Sequence, residues 1–457
     1  FGSGSMILDA AVLHLSAAAG GAVSVASGAA STFSFAGNSC VRRDNDGLLT
    51  IGSEDRSGTP LVRGERGFLA FLSRKDDFSG TRVRVNGGLA PAPSGVSSLP
   101  VFGFMYAQPG DAYGYNRAAY DVRLLSCDAD GFLCLPAGAS TNAIPEDASV
   151  ATVVYQHQNP TLRVAKNTQV GAMEIYGGSL GGLKIDAGVT LSVGAGAGSV
   201  APIALNNLLF PAGSGEGNVR LTGEGTLDFA GAEGVLAVNS AYEAGMPAVI
   251  ACHLAGTGGI SFYSPCVVDL NDGSTISSIR QAYVRAVSVT GDNGYSGGTY
   301  VDNTIVIPGC ATALGTGTVT VSGERYRGGE LHFDANYDGS SFGNAIVASG
   351  NGFYHAGLDA AYDAAWGARA AVSAHDKRIT LTGAITLAGD ATVATSGANG
   401  RITLAGPVGG AGILRVTAGT VIVKKDALAA YEAGRIVAEP GAVVTPKYPT
   451  GALIILR

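Results

Sequence analysis

The stretch TGDNGYSGGTYVDNTIVIPGCATALGTGTVTVSGERYRGGELHFDANYDGSSFGNAIVASGNG, residues 290–352, decides the fold. It is a series of short β-branched runs cut at close intervals by Gly, Asn and Asp. Alternation such as Thr318-Val319-Thr320-Val321 suits a strand whose two faces meet different surroundings, and the flanking Gly-rich steps supply the turns that end it. Many very short strands in series are what a coiling β architecture is made of.

Composition points the same way. The chain has 457 residues, room for two or three ordinary domains or one elongated one, and 69 Gly with only 14% charged residues argues for tightly repeated turns. Gly stands well above its usual share with no collagen triplet and no run of disorder-promoting charge, so the composition is that of a folded β-rich protein. The longest uncharged stretches, Ala10 to Val41 and Ala187 to Gly215, are broken by Ser, Gly, Asn or Pro, and no transmembrane segment is expected. The net charge is -7 and basic residues cluster no further than pairs such as Lys424-Lys425, which gives no reason to expect nucleic acid as a partner.

A second signal lies downstream. Arg378-Ile379-Thr380-Leu381-Thr382-Gly383 recurs as Arg401-Ile402-Thr403-Leu404-Ala405-Gly406, a shift of 23 residues, about the length of one three-sided coil. Val219-Arg220-Leu221-Thr222-Gly223 and Lys184 to Leu191 are related phrases. In each, apolar and polar side chains alternate, so one set points into a stack and the other faces water. The predicted fold is all-β, an elongated right-handed parallel β-helix with a more decorated β-rich N-terminal region.

Several of these motifs resemble a known repeat. Asn293-Gly294-Tyr295-Ser296-Gly297-Gly298-Thr299, Ala313 to Val319, Gly328-Gly329-Glu330-Leu331 and Gly350-Asn351-Gly352 are similar to the autotransporter-associated β-strand repeat, a passenger-associated repeat of large secreted and surface proteins of Gram-negative bacteria. Residues 378–424 look like the segment that links successive copies of it. Together the two regions cover about a quarter of the chain. The resemblance implies architecture and a location outside the cell or at its surface, associated with the outer membrane. It does not imply an activity. The sequence holds no strand-rich outer-membrane barrel, so the resemblance implies a passenger portion or a relative exported by another route.

The organisation read from charge is in four parts. Residues 1–6, FGSGSM, read as a cloning remnant or a processed mature end. Residues 7–165 form a β-rich N-terminal region, either a cap or a more decorated stretch of the same coil. Its expected strands include Phe68 to Leu72, Arg82 to Val85, Val122 to Leu125 and Val150 to Tyr155. Residues 166–423 form the β-helix, and 424–457 a C-terminal cap or joining strand that ends in the apolar run Ala452 to Leu456.

Chemistry-bearing residues are sparse. Cys127 and Cys134 bracket a turn at Asp130-Gly131, where a hairpin disulfide is one reading. Cys252, Cys266 and Cys310 read as small buried apolar residues. No Cys or His pair stands at zinc-ligand spacing, and Asp44-Asn45-Asp46-Gly47 lacks the rest of a calcium loop, so neither a metal nor a cofactor is expected. A β-helical polysaccharide lyase or hydrolase would need clustered carboxylates. Its candidates are Asp334 and Asp338 with His332, and Asp359 and Asp363 with His355. Turns account for the first group and a helical decoration carrying Trp366 for the second. Tyr106, Tyr113, Tyr115 and Tyr120 suit contacts with sugars or another protein, or else form the core of the N-terminal region. Asn293, Gly294, Tyr295, Ser296, Gly297 and Gly298 read as turn residues of the repeat.

The expected role is therefore structural or adhesive and non-enzymatic, with other copies of the chain or surface glycans and proteins as partners. Head-to-tail joining into filaments is one form this would take. A carbohydrate- or protein-binding adhesin and the polysaccharide enzyme are the alternatives.

Overall fold

In the computed structural model the described residues are 121–127, 140–156, 161–177, 181–206, 218–239, 247–264, 285–324, 327–353 and 367–447, with strands only in 5–106 and at 133–134. The chain from residue 140 onward winds as a parallel β-helix with three faces. On the first face parallel strands stack from Val153–Gln156 through Val200–Asn206 and Thr299–Asp302 to Val408–Gly410. The second runs from Leu162–Val164 through Arg220–Thr222 and Ile305–Pro308 to Ile436–Ala438. The third comprises the strands from Thr168–Val170 to His253–Ala255 and, further on, from Ser341–Phe342 to Val443–Pro446.

Alternation explains why these residues make these strands. In Arg378–Leu381 and Arg401–Leu404, Ile379, Leu381, Ile402 and Leu404 are buried in the central core while both arginines stay exposed. Each inward Leu or Ile contributes about 1.5–3 kcal/mol on burial. The gain needs neighbouring rungs, since a single coil has no interior. The 23-residue echo is one rung of this coil, because Arg378 pairs with Arg401 and Leu381 with Leu404 in register. Leu191, Leu227 and Leu254 are successive inward residues of the third face, stacked by the same logic.

The N-terminal region is built the same way. Ser5–Asp9, Thr32–Ala36 and Val62–Arg63 form one parallel ladder, and Gly21–Val25, Leu49–Ser53 and Val83–Asn86 another. Val12–Leu15, Asn38–Arg43, Phe68–Arg74 and Val101–Tyr106 form the third. It is thus a three-ladder coil of its own. Ser5 and Met6 pair with Thr32 and Phe33, so the boundary expected after residue 6 falls inside a strand. Asp121–Leu124 closes the third of these ladders antiparallel to Val101–Tyr106. It also packs on the first face of the long coil, against Ala172–Tyr176, Val200–Asn206 and Glu233–Asn239.

At the other end the helix Lys425–Glu432 replaces a first-face strand. It lies near Val408–Gly410 and buries Ala427 and Ala430 against the core. Its φ/ψ follow from an Ala-rich run of good helix formers, KDALAAYE, with no β-branched residue. The other two faces finish on Ile436–Ala438 and Val443–Pro446, and no described strand pairs beyond them. Among the described residues no helix is long and apolar enough to cross a membrane.

Candidate functional site

The third face changes character at the repeat motif. After His253–Ala255 the next rungs carry no regular strand on this face, and side chains join the remaining backbone bonds in linking them. Asn293 is buried. Its Oδ1 accepts the Leu254 N–H at 2.7 Å and its Nδ2 donates to the Ala313 carbonyl at 2.6 Å, so one carboxamide joins three successive rungs. The Gly294 and Ser296 amides donate to the Leu254 and Gly256 carbonyls. Tyr295, read from sequence as a turn residue, is a core residue with no exposed surface. Its hydroxyl meets Thr299 Oγ1 at 2.5 Å, and burial pushes its pKa well above the usual phenol value. Gly297 sits where a Cβ would lie 2.2 Å from the Gly259 nitrogen, and Gly298 has φ +91°, so close stacking and a left-handed backbone both require glycine here. Asn344 repeats the device further on, donating to the Gly315 and Gly317 carbonyls at 3.0 and 2.8 Å.

Sequence reading did not single out Asn344, and it named Asn293 and Thr299 only as positions of the repeat motif. A buried Asn beside a glycine-rich turn was the available signal, since an amide that both donates and accepts can stand in for a missing peptide.

The acidic candidates are placed as follows. Asp334 forms the expected Asx turn, accepting the Asn336 amide at 2.8 Å and its side-chain nitrogen at 3.0 Å. Asp338 is exposed and makes a parallel bridge to Cys310, part of the same third face. His332 is on the second face, wholly buried with Glu330 and Ser373. His332 Nδ1 lies 2.7 Å from Ser373 Oγ, and Ser373 donates to Glu330 Oε1. These three groups are engaged with one another inside the core. Asp359, Asp363, His355 and Trp366 lie outside the described residues, as do Asp44 to Gly47.

The hairpin expected near Asp130-Gly131 forms between Ser126–Cys127 and Leu133–Cys134. Its register sets Cys127 across from Leu133 and Cys134 across from Ser126, one position out of step, so the two cysteines do not directly oppose one another. Cys252 is a buried thiol in the core, and burial pushes its pKa up to about 12. Cys310 is half-buried, its Sγ 3.6 Å from the Gly291 carbonyl, and Cys266 lies outside the described residues. Tyr106 ends a strand of the N-terminal coil, and Tyr113, Tyr115 and Tyr120 are outside the described residues. No group of His, Cys, Asp and Glu suited to a metal ion occurs among the described residues.

One charged pair is fully committed to the fold. Glu174 faces outward from the first face yet is buried beneath Asp121–Leu124. Its Oε1 lies 2.5 Å from Arg123 Nε and 3.2 Å from the Tyr176 hydroxyl, and its Oε2 accepts the Leu124 amide at 3.2 Å. This carboxylate locks the N-terminal coil onto the long one.

No protein-family model, no curated protein and no solved structure matches the chain.

Proposed function

We propose that the protein is an extracellular or outer-membrane-associated surface scaffold, structural or adhesive in role, that belongs with the passenger-repeat proteins its motifs resemble. The observation that carries this reading is the use made of the repeat motif. Asn293, Thr299 and Asn344 direct their polar atoms at neighbouring rungs and the Tyr295 ring is buried in the core, so these residues serve stacking. Such a stack is a rigid spacer with long outward faces, which suits display and adhesion better than turnover.

Its ends favour joining to further copies. Ser5–Asp9, Val12–Leu15 and Gly21–Val25 each pair with a single described neighbour, and so do Ile436–Ala438 and Val443–Pro446. Strand edges of this kind are templates for another chain, and a heterologous contact that does not close propagates into a filament. Location is tested by antibody labelling and protease shaving of intact source cells. Surface labelling supports the scaffold, and protein confined to the cytoplasm overturns it.

A further inference from the structure

The outward side of the third face, over its last rungs, has an unusual charge pattern. Arg378 pairs with Arg401 in parallel register, which sets two exposed guanidinium-bearing residues on adjacent strands about 4.8 Å apart. Like charges directly across a strand pair repel. Neither guanidinium has an ion-pair or hydrogen-bond partner among the described residues. The opposite margin of the face carries Lys424, next to Val423, and Lys447, next to Pro446. The pairing of Val423 with Pro446 makes these two lysines neighbours across rungs as well, and both are exposed. Between the margins runs a column of Ser341, Thr380 and Thr403, continued by Ile422 and Thr445. Of the acids near this face in sequence, Asp338 is exposed on the preceding rung, and Asp376 and Asp426 are turned to other work. Asp376 accepts the Asn399 amide at 3.3 Å and lies 3.6 Å from His375, and Asp426 sits in the first turn of the terminal helix. This cationic face stands on a chain of net charge -7, so bulk composition does not account for it.

We infer that this face is a docking surface for an extended acidic polysaccharide, a chain of uronic-acid sugars lying along the stack and across the strands. The inference rests on the surface-scaffold reading and names its partner. Charge complementarity selects a polyanion. A uronate chain carries one carboxylate per ring, so its charges recur along the stack as the arginines and lysines do, and guanidinium–carboxylate pairs are among the stronger hydrogen-bonded contacts. The threonine column supplies neutral hydroxyls for sugar hydroxyl groups. None of the described outward residues on these rungs is aromatic, which removes the stacking platform a single-stranded nucleic acid uses. Val443 is the exposed large apolar side chain of the face, too little for insertion among lipid chains.

The test is binding of the whole protein to polygalacturonate, with neutral dextran, single-stranded DNA and phosphatidylglycerol vesicles as further arms. The inference expects salt-sensitive binding to polygalacturonate and none to dextran. Affinity falls roughly tenfold or more in Arg378→Gln/Arg401→Gln, and Lys424→Gln/Lys447→Gln also weakens it. The second-face control Lys184→Gln/Arg220→Gln leaves it unchanged. All six positions are exposed, and unchanged circular dichroism and Tm establish that the variants fold. The inference is overturned if polygalacturonate is not bound at low salt, or if the control pair weakens it equally. It is also overturned if DNA or vesicles bind more tightly at the same arginines. A protein found on the cell surface that ignores polygalacturonate removes this docking face and leaves the scaffold reading standing.

Discussion

The side chain of Asn293 occupies the place of a missing strand beside Leu254, accepting its backbone N–H at 2.7 Å while donating to Ala313 one rung further on. Replacing it by alanine leaves a buried donor and a buried acceptor without partners. Each such group costs about 1–3 kcal/mol, so Asn293→Ala is expected to destabilise the coil by roughly 2–6 kcal/mol. Urea denaturation followed by circular dichroism checks this. Asn293→Asp keeps the acceptor but turns an oxygen toward the Ala313 carbonyl, and is expected to be no better. An unchanged midpoint in both variants would remove the bridging role.

Cys252 is sealed in the core with its thiol pKa raised to about 12 by burial. The thiolate is the reactive form, so at about pH 8 the native protein is expected to leave Cys252 unalkylated by iodoacetamide. Peptide mapping should find it modified only after denaturation. Labelling of Cys252 in the native state at the rate of a free thiol would mean that the core opens locally.

The exposed pair Arg163–Asp186 links adjacent rungs of the second face, with Arg163 Nε 2.9 Å from both carboxylate oxygens. These hydrogen bonds hold the Asp186 pKa below its ordinary value. A carboxyl group whose folded pKa is depressed adds stability above its unfolded pKa, and that contribution is lost as pH falls through the folded pKa. The expected result is a small Tm deficit in Asp186→Asn at neutral pH that closes in acid, and that shrinks with salt because the pair is exposed. A deficit that persists below the carboxylate range would place the effect elsewhere.

Much of the fold is legible in the sequence because its rules are local. The echo of RITLTG in RITLAG gives both the rung length and the inward column of Ile379, Leu381, Ile402 and Leu404, since period-2 alternation fixes which side faces the core. The N-terminal coil is harder to see. Its rungs are longer than the 23-residue echo and carry charged insertions, as between Arg43 and Leu49 or Arg74 and Val83, and these dilute the period without breaking the ladders. The burial of Tyr295 is hard to see because its neighbours are turn formers, while its ring lies in the core and its hydroxyl meets Thr299, whose Oγ1 donates to the Leu314 carbonyl of the next rung. The one-step offset between Cys127 and Cys134 is a matter of register, which the spacing of two cysteines leaves open. The Arg378–Arg401 column lies within the repeat itself, yet its significance as surface charge needs the paired register to become visible.

Electron microscopy of the purified protein across a wide concentration range tests the scaffold most directly. Stacked coils whose terminal strands each pair with a single described neighbour are expected to give end-to-end filaments that lengthen with concentration. Isolated particles at every concentration would contradict joining through the ends of the stack.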